Sequence, residues 1–210
     1  AILNGNGIGG SYYQSPMQIG TSSWSSISAG AAFSAAIRSD KLLFTWGNAT
    51  NGELGDGTNI TKSSPVQIGS SSWSACSAGN SFSTGVSANR LFTWGFNNYG
   101  DLGLGDLVSR SSPVQVGSLT NWSSVVIGGQ AKNQTTAFAI KTDGTLWSWG
   151  YNGNGDLGLG NKTYYSSPKQ VGSLTNWALV AAHNDGGFAI KTDGTLWSWG
   201  ANFAGGLGLG

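Results

Sequence analysis

The sequence predicts an all-β fold, a β-propeller of four-stranded blades with about four repeats of roughly fifty residues each. Three observations carry this. Trp-Gly pairs fall at Trp46-Gly47, Trp94-Gly95, Trp149-Gly150 and Trp199-Gly200, spaced 48, 55 and 50 residues apart. Ser-Pro pairs ending at Pro16, Pro65, Pro113 and Pro168 keep the same period, as do Trp24, Trp73, Trp122 and Trp177. Within each period, short apolar–polar alternations separated by Gly-, Asn- and Asp-rich turns read as strands.

Each strand has its own signal. WSSISAG (24–30), WSACSAG (73–79), WSSVVIG (122–128) and WALVAAH (177–183) align without gaps. Their alternating apolar positions, Ile27/Ala29, Cys76/Ala78, Val125/Ile127 and Val180/Ala182, predict a strand with one face inward. A second strand follows (AAIRS, GVSAN, FAIKT), then a tight turn and a third strand ending in Trp-Gly. Asp143-Gly144 and Asp193-Gly194 predict two-residue hairpin turns with positive φ at both central residues. The fourth strand is SPVQIG or SPVQVG, with proline expected at its start, where no ladder hydrogen bond is lost. Gly-rich links (NGELGDG, YGDLGLG, NGDLGLG) join the third and fourth strands, with Leu54, Leu102 and Leu157 expected to reach inward. The whole chain, 1–210, reads as one repeat domain with blades at about 16–47, 65–95, 113–150 and 168–200 plus the links. Closure of four blades and an arc of a larger propeller both fit this count.

Composition narrows the function. Charged residues make up 9% and the net charge is +1, with lysines and arginines scattered singly. No cationic cluster is available to neutralise a phosphate backbone, which argues against nucleic acid as a partner. No apolar run approaches a membrane span, and the opening residues lack the basic-then-apolar pattern of a leader. Ala1 rather than Met opens the chain, which fits a processed protein or part of a longer one. The lone Cys76 makes no intramolecular disulfide, so packing must hold the fold.

In ordered combination, WGYNGNGDLGLG, the Ser-Pro-x-Gln-Val strand, the following Trp and the twice-repeated FAIKTDGTLWSWG resemble the regulator of chromosome condensation repeat family over essentially the whole chain. The resemblance implies a β-propeller, most familiarly seven-bladed, serving as a protein-interaction surface. Weakly charged versions rich in Gly, Ser, Asn and Thr are similar to those of bacteriophage virion proteins and secreted bacterial proteins.

Candidate chemistry is sparse. Gly5-Asn6-Gly7-Ile8-Gly9-Gly10 spells a dinucleotide-binding pattern, but no helical periodicity follows, and it occupies the place of a repeat link. Asp56, Asp101 and Asp156 sit beside glycines singly, which suits turn capping better than calcium. His183, the only histidine, stands where the other repeats have Gly30, Gly79 and Gly128, with Asp185 nearby and no specified nucleophile. Cys76 reads as a small buried apolar residue. The tryptophans recur at fixed strand positions and read mostly as core, not as a sugar platform. Neither a cofactor, a metal nor a catalytic residue is expected.

The features that interrupt the repeat are the candidate partner-binding loops. They are the insertion around 130–136, with Gln130, Lys132, Asn133 and Gln134, and the tyrosines before Ser-Pro, Tyr12, Tyr13, Tyr164 and Tyr165. The expected function is a non-enzymatic structural or binding module on a virion surface: a tail fibre, receptor-binding or capsid-decorating protein. The alternative is a secreted or intracellular regulatory propeller that binds or inhibits a protein. Expected partners are a protein or host-surface receptor (a glycan included), other virion proteins and further copies of the chain, at a virion surface or extracellular location.

Overall fold

The computed structural model describes residues 13–129 and 134–210. Four antiparallel sheets follow one another along the chain. The first comprises β1 (Trp24–Ala29), β2 (Phe33–Arg38), β3 (Leu43–Gly47) and β4 (Lys62–Gln67). The second comprises β5 (Trp73–Ala78), β6 (Phe82–Ser87), β7 (Arg90–Gly95) and β8 (Arg110–Gln115). The third comprises β9 (Trp122–Gly128), β10 (Thr136–Lys141), β11 (Leu146–Gly150) and β12 (Tyr165–Gln170). The fourth holds three strands, β13 (Trp177–His183), β14 (Gly186–Lys191) and β15 (Leu196–Gly200). Spatial order equals chain order in every sheet, so each is an up-and-down meander. The inner strands β1, β5, β9 and β13 pack side by side, which arranges the sheets as blades.

The Ser-Pro strand pairs with the third strand of its own repeat, as in Phe44 opposite Gln67 and Phe92 opposite Gln115. Blade boundaries therefore fall one strand later than a division at 16–47, 65–95, 113–150 and 168–200. That strand also begins earlier than the sequence suggests. Pro65, Pro113 and Pro168 stand fourth in their six-residue strands, β4, β8 and β12. They are tolerated because these are outer edge strands whose pairing is irregular at that point.

The hairpins between second and third strands also differ from expectation. At Asp143-Gly144 only Gly144 has positive φ (76°). Asp143 Oδ1 accepts from the Thr145 backbone N–H (3.0 Å) and the Thr145 hydroxyl (2.6 Å), so the side chain closes the turn. Gly194 repeats this geometry, while two adjacent positive φ values occur at Ala88 (48°) and Asn89 (57°), where no Asp-Gly pair signals them.

Tryptophan dominates the packing. Trp73, Trp122 and Trp177 are buried, and each meets a third-strand aromatic edge-on: Trp73–Phe92 at 5.5 Å, Trp122–Trp147 and Trp177–Trp197 each at 6.0 Å. The Trp-Gly tryptophans instead reach the preceding blade. Trp94 Nε1 donates to Glu53 O, Trp149 Nε1 to Asp101 O and Trp199 Nε1 to Asp156 O, all at 2.9 Å. Leu54, Leu102 and Leu157, each following the accepting residue, are fully buried.

Inward-facing side chains are buried only where a sheet packs against them. Val125 is 4% exposed, whereas Ile27 at the same place in β1 is 69% exposed. Ile27 faces no preceding sheet among the described residues. Trp149 is likewise buried and Trp199 half-buried. We expect Trp149→Ala to cost about 3–5 kcal/mol, and Trp199→Ala about 1–2 kcal/mol because less apolar area leaves water. Urea unfolding checks both, and equal losses would show that the two rings are equally packed.

Candidate functional site

The strand directions put two sets of connections at one end of every blade: the turns between first and second strands and the Gly-rich links. Backbone hydrogen bonds tie them together there, from Asn48 N to Ala32 O, Phe96 N to Ser81 O, Tyr151 N to Thr135 O and Ala201 N to Asp185 O, each at 2.9 Å. At the centre of this end a cavity of about 690 Å³ opens between the first-to-second turns of all four blades. Glycine permits the close approach of blades around it: a Cβ on Gly128 would lie 2.6 Å from His183 O. His183 replaces that glycine in the fourth blade, where no further sheet packs against it among the described residues. Its ring lies 5.3 Å from Phe188, its Nδ1 accepts from Asp185 N (3.4 Å), and its buried Nε2 has no hydrogen-bond partner.

Farther out, the links carry tyrosines. Tyr164 contacts Tyr151 (4.8 Å between ring centroids) and Tyr99 (6.3 Å), and Tyr99 and Tyr164 are both exposed. Sequence reading singled out Tyr164 but not Tyr99 or Tyr151, because the three belong to two different links that only the fold brings together. Tyr165 is not a loop residue: it opens β12 opposite Gly150, half-buried, with Lys169 Nζ 5.4 Å over its ring. Tyr13 is exposed and lies far along the chain from this cluster. Gln134 is exposed at the first-to-second turn of the third blade. Tyr12, Gln130, Lys132 and Asn133 lie outside the described residues. Thr135 and Thr136, which close the 130–136 insertion, are buried and structural.

The acidic link residues cap turns, and two of them do more. Asp56 accepts from Thr58 and pairs with Lys62 Nζ (3.2 Å). Asp101 and Asp156 are buried at the position of Glu53, directly before the inward leucine. Asp101 Oδ1 accepts from the Thr135 hydroxyl of the next blade at 2.8 Å. The place of Thr135 is taken by Ser81 in the second blade and by Asp185 in the fourth. Asp156 therefore meets a carboxylate instead of a donor. Its Oδ2 accepts from Asn154 N (3.0 Å), and its buried Oδ1 has no hydrogen-bond partner. Burial raises the Asp156 pKa above the ordinary carboxylate value, and the negative charge of Asp185 adds to the rise. No group of three His, Cys, Asp or Glu side chains suited to a metal occurs among the described residues.

A meander-built arc of blades joined through tryptophan and Gly-rich links defines a propeller-repeat protein. The profile of the regulator of chromosome condensation (RCC1) repeat matches residues 40–86, 89–131 and 143–190, and a second profile of that description matches 24–53. The chain belongs to this family. Human WBSCR16 is similar in structure with a TM-score of 0.79 at 21% identity, over 92% of this chain and 52% of that one. Yeast RCC1 (Prp20), in its complex with Kap60, gives a TM-score of 0.76 at 19% identity, over 92% of this chain and 47% of that one. At such identities the likeness is one of fold, and this chain spans about half the length of these solved relatives.

Two predictions follow from these surroundings. Burial pushes the Cys76 thiol up to about 11, so iodoacetamide should label it slowly until denaturant is added. The raised Asp156 pKa means that the folded chain binds this proton more tightly than the unfolded chain. The group's contribution to stability therefore falls as pH rises from the ordinary carboxylate range through the raised value. Asp185→Thr, restoring the donor found at Thr135, should stabilise the protein at pH 7 by about 1–2 kcal/mol. The gain should shrink on acidification, as read from urea midpoints across pH.

Proposed function

We propose that this chain is a non-enzymatic binding module, carried on a virion surface as a tail-fibre, receptor-binding or capsid-decorating component that engages a protein or host-surface receptor. The observation that supports this most is where the repeat is broken. Gly129 and Gln134 at the 130–136 insertion, the tyrosines Tyr99, Tyr151 and Tyr164, and the His183–Asp185 turn all belong to the link-bearing end of the blades. The opposite end keeps short hairpins. Exposed tyrosines offer large contact area at little cost in side-chain entropy, as binding surfaces require.

Two further points favour the reading. Yeast RCC1 (Prp20) was crystallised bound to Kap60, and Prp20p is described by its binding properties to Gsp1p and histones. The 9% charged composition, with Ser, Thr, Asn and Gly supplying polarity, suits a particle or extracellular setting. Immunogold labelling of particles from the source culture should place the chain on virions. Label confined to the soluble fraction would overturn the virion assignment. Tyr99→Ala with Tyr164→Ala should weaken receptor binding by about tenfold or more while leaving the unfolding midpoint nearly unchanged.

A further inference from the structure

The interface between the third and fourth blades holds two carboxylates where the interface before it holds a carboxylate and a hydroxyl. Asp101 and Asp156 occupy the same place in successive links. In each, Oδ2 accepts from the backbone two residues back, Tyr99 N (3.3 Å) and Asn154 N (3.0 Å). Their Oδ1 atoms therefore face the same way, toward the first-to-second turn of the next blade. For Asp101 that oxygen meets the Thr135 hydroxyl at 2.8 Å. For Asp156 the residue in the place of Thr135 is Asp185. Matching backbone bonds fix the equivalence, Tyr151 N to Thr135 O and Ala201 N to Asp185 O, both at 2.9 Å. An ionised carboxylate donates nothing, so Asp156 Oδ1 is left unpartnered on a residue that is 0% exposed.

Two carboxylates brought together away from water repel and lose hydration, a cost that a proton or a cation between them relieves. The chain supplies no such cation. Its ion pairs use Asp40, Asp56 and Asp106, and no lysine or arginine pairs with Asp156 or Asp185 among the described residues. His183 Nδ1 accepts from Asp185 N (3.4 Å), which an imidazole does only when uncharged. A further oxygen stands close by. Burial and contact with Tyr164 raise the Tyr151 pKa, and the charges of Asp156 and Asp185 add to the rise, which places this phenol beside the pair. Asp185 and Asn184 also line the cavity of about 690 Å³, which gives a hydrated ion its way in.

We propose that Asp156 and Asp185 together bind one calcium ion at the seam between the third and fourth blades. A divalent ion matches the charge of the pair. A site of carboxylate, phenol, amide and water oxygens suits calcium, which accepts irregular coordination, better than magnesium, which demands near-ideal octahedra. Sequence reading set calcium aside because each link holds one carboxylate, and the fold brings the second from the following blade. The ion takes over the part of the Thr135 hydroxyl, bridging link to turn. This assignment is independent of the receptor-binding reading, and its test uses no receptor.

Calorimetric titration of CaCl2 into the chelator-treated 210-residue chain at pH 7 tests it. Binding of one ion per chain is expected, with a urea midpoint that rises with calcium concentration because the ion binds the folded state. Asp185→Thr installs the hydroxyl of the preceding interface, so it keeps the fold and in chelator is the more stable chain. It should bind calcium about tenfold or more weakly and lose the calcium-dependent rise, as should Asp156→Asn. Asp56→Asn, at a link carboxylate outside the pair, should bind like the unsubstituted chain. Absence of both heat and midpoint shift at about 10 mM CaCl2, above the dissociation constants of weak extracellular sites, would mean that a proton alone relieves the pair and overturns the proposal. An undiminished response in Asp185→Thr overturns it too, because the ion then sits elsewhere. A response that MgCl2 matches at equal concentration overturns the choice of calcium.

Discussion

The bond from a tryptophan indole to a backbone carbonyl of the preceding blade is the contact on which this architecture turns. A large ring lets one residue both fill an interface and reach across it, and an acceptor for its N–H spares it the cost that the buried, unpartnered indole N–H groups of Trp73, Trp122 and Trp177 carry. The Gly-rich links supply it at the same place each time, on Glu53, Asp101 and Asp156. The leucine that follows each of these residues is then driven inward, so one short link satisfies a polar group and fills the core together. Blades are thereby fixed to their neighbours in order, with stability summed from each unit and its adjoining interfaces. This explains how a chain so poor in charge and lacking disulfides holds together.

Around that invariant contact, one neighbouring position varies. The place from which Thr135 meets Asp101 is held by Ser81 in the second blade and by Asp185 in the fourth. A hydroxyl completes the hydrogen bonding of Asp101, whereas a second carboxylate leaves an oxygen of Asp156 orphaned. The same repeat frame thus yields a quiet interface and an electrostatically uneasy one. Low local polarisability makes such an orphan more consequential than any surface charge on this protein.

Much of this was legible in the sequence. The fifty-residue period, the strand type and the inward leucines follow from local rules. Alternation identifies a half-buried strand, and glycine clusters mark where the chain must turn. The hairpin at Asp143-Gly144 was legible as a turn but not as the right one. Whether Asp143 takes a positive φ or closes the turn through its side chain depends on Thr145, a choice settled by hydrogen bonds of 3.0 and 2.6 Å from its backbone N–H and hydroxyl. The Ser-Pro strand was legible as the fourth strand reached through each link, but the division at 16–47, 65–95, 113–150 and 168–200 cut it from the third strand it pairs with. Pairing across a long link is a non-local event.

By itself, then, the sequence determined the repeat and the family, because each rests on patterns within a single blade. Only the tertiary structure decided which blade each outer strand completes and which of the repeated residues are covered. Tyr99, Tyr151 and Tyr164 become one cluster only when separate links are folded side by side. Ile27 and Val125 occupy equivalent places in nearly equivalent strands, yet one is bare and the other buried. Burial is a property of the neighbouring blade and not of the residue, and no local pattern reports it.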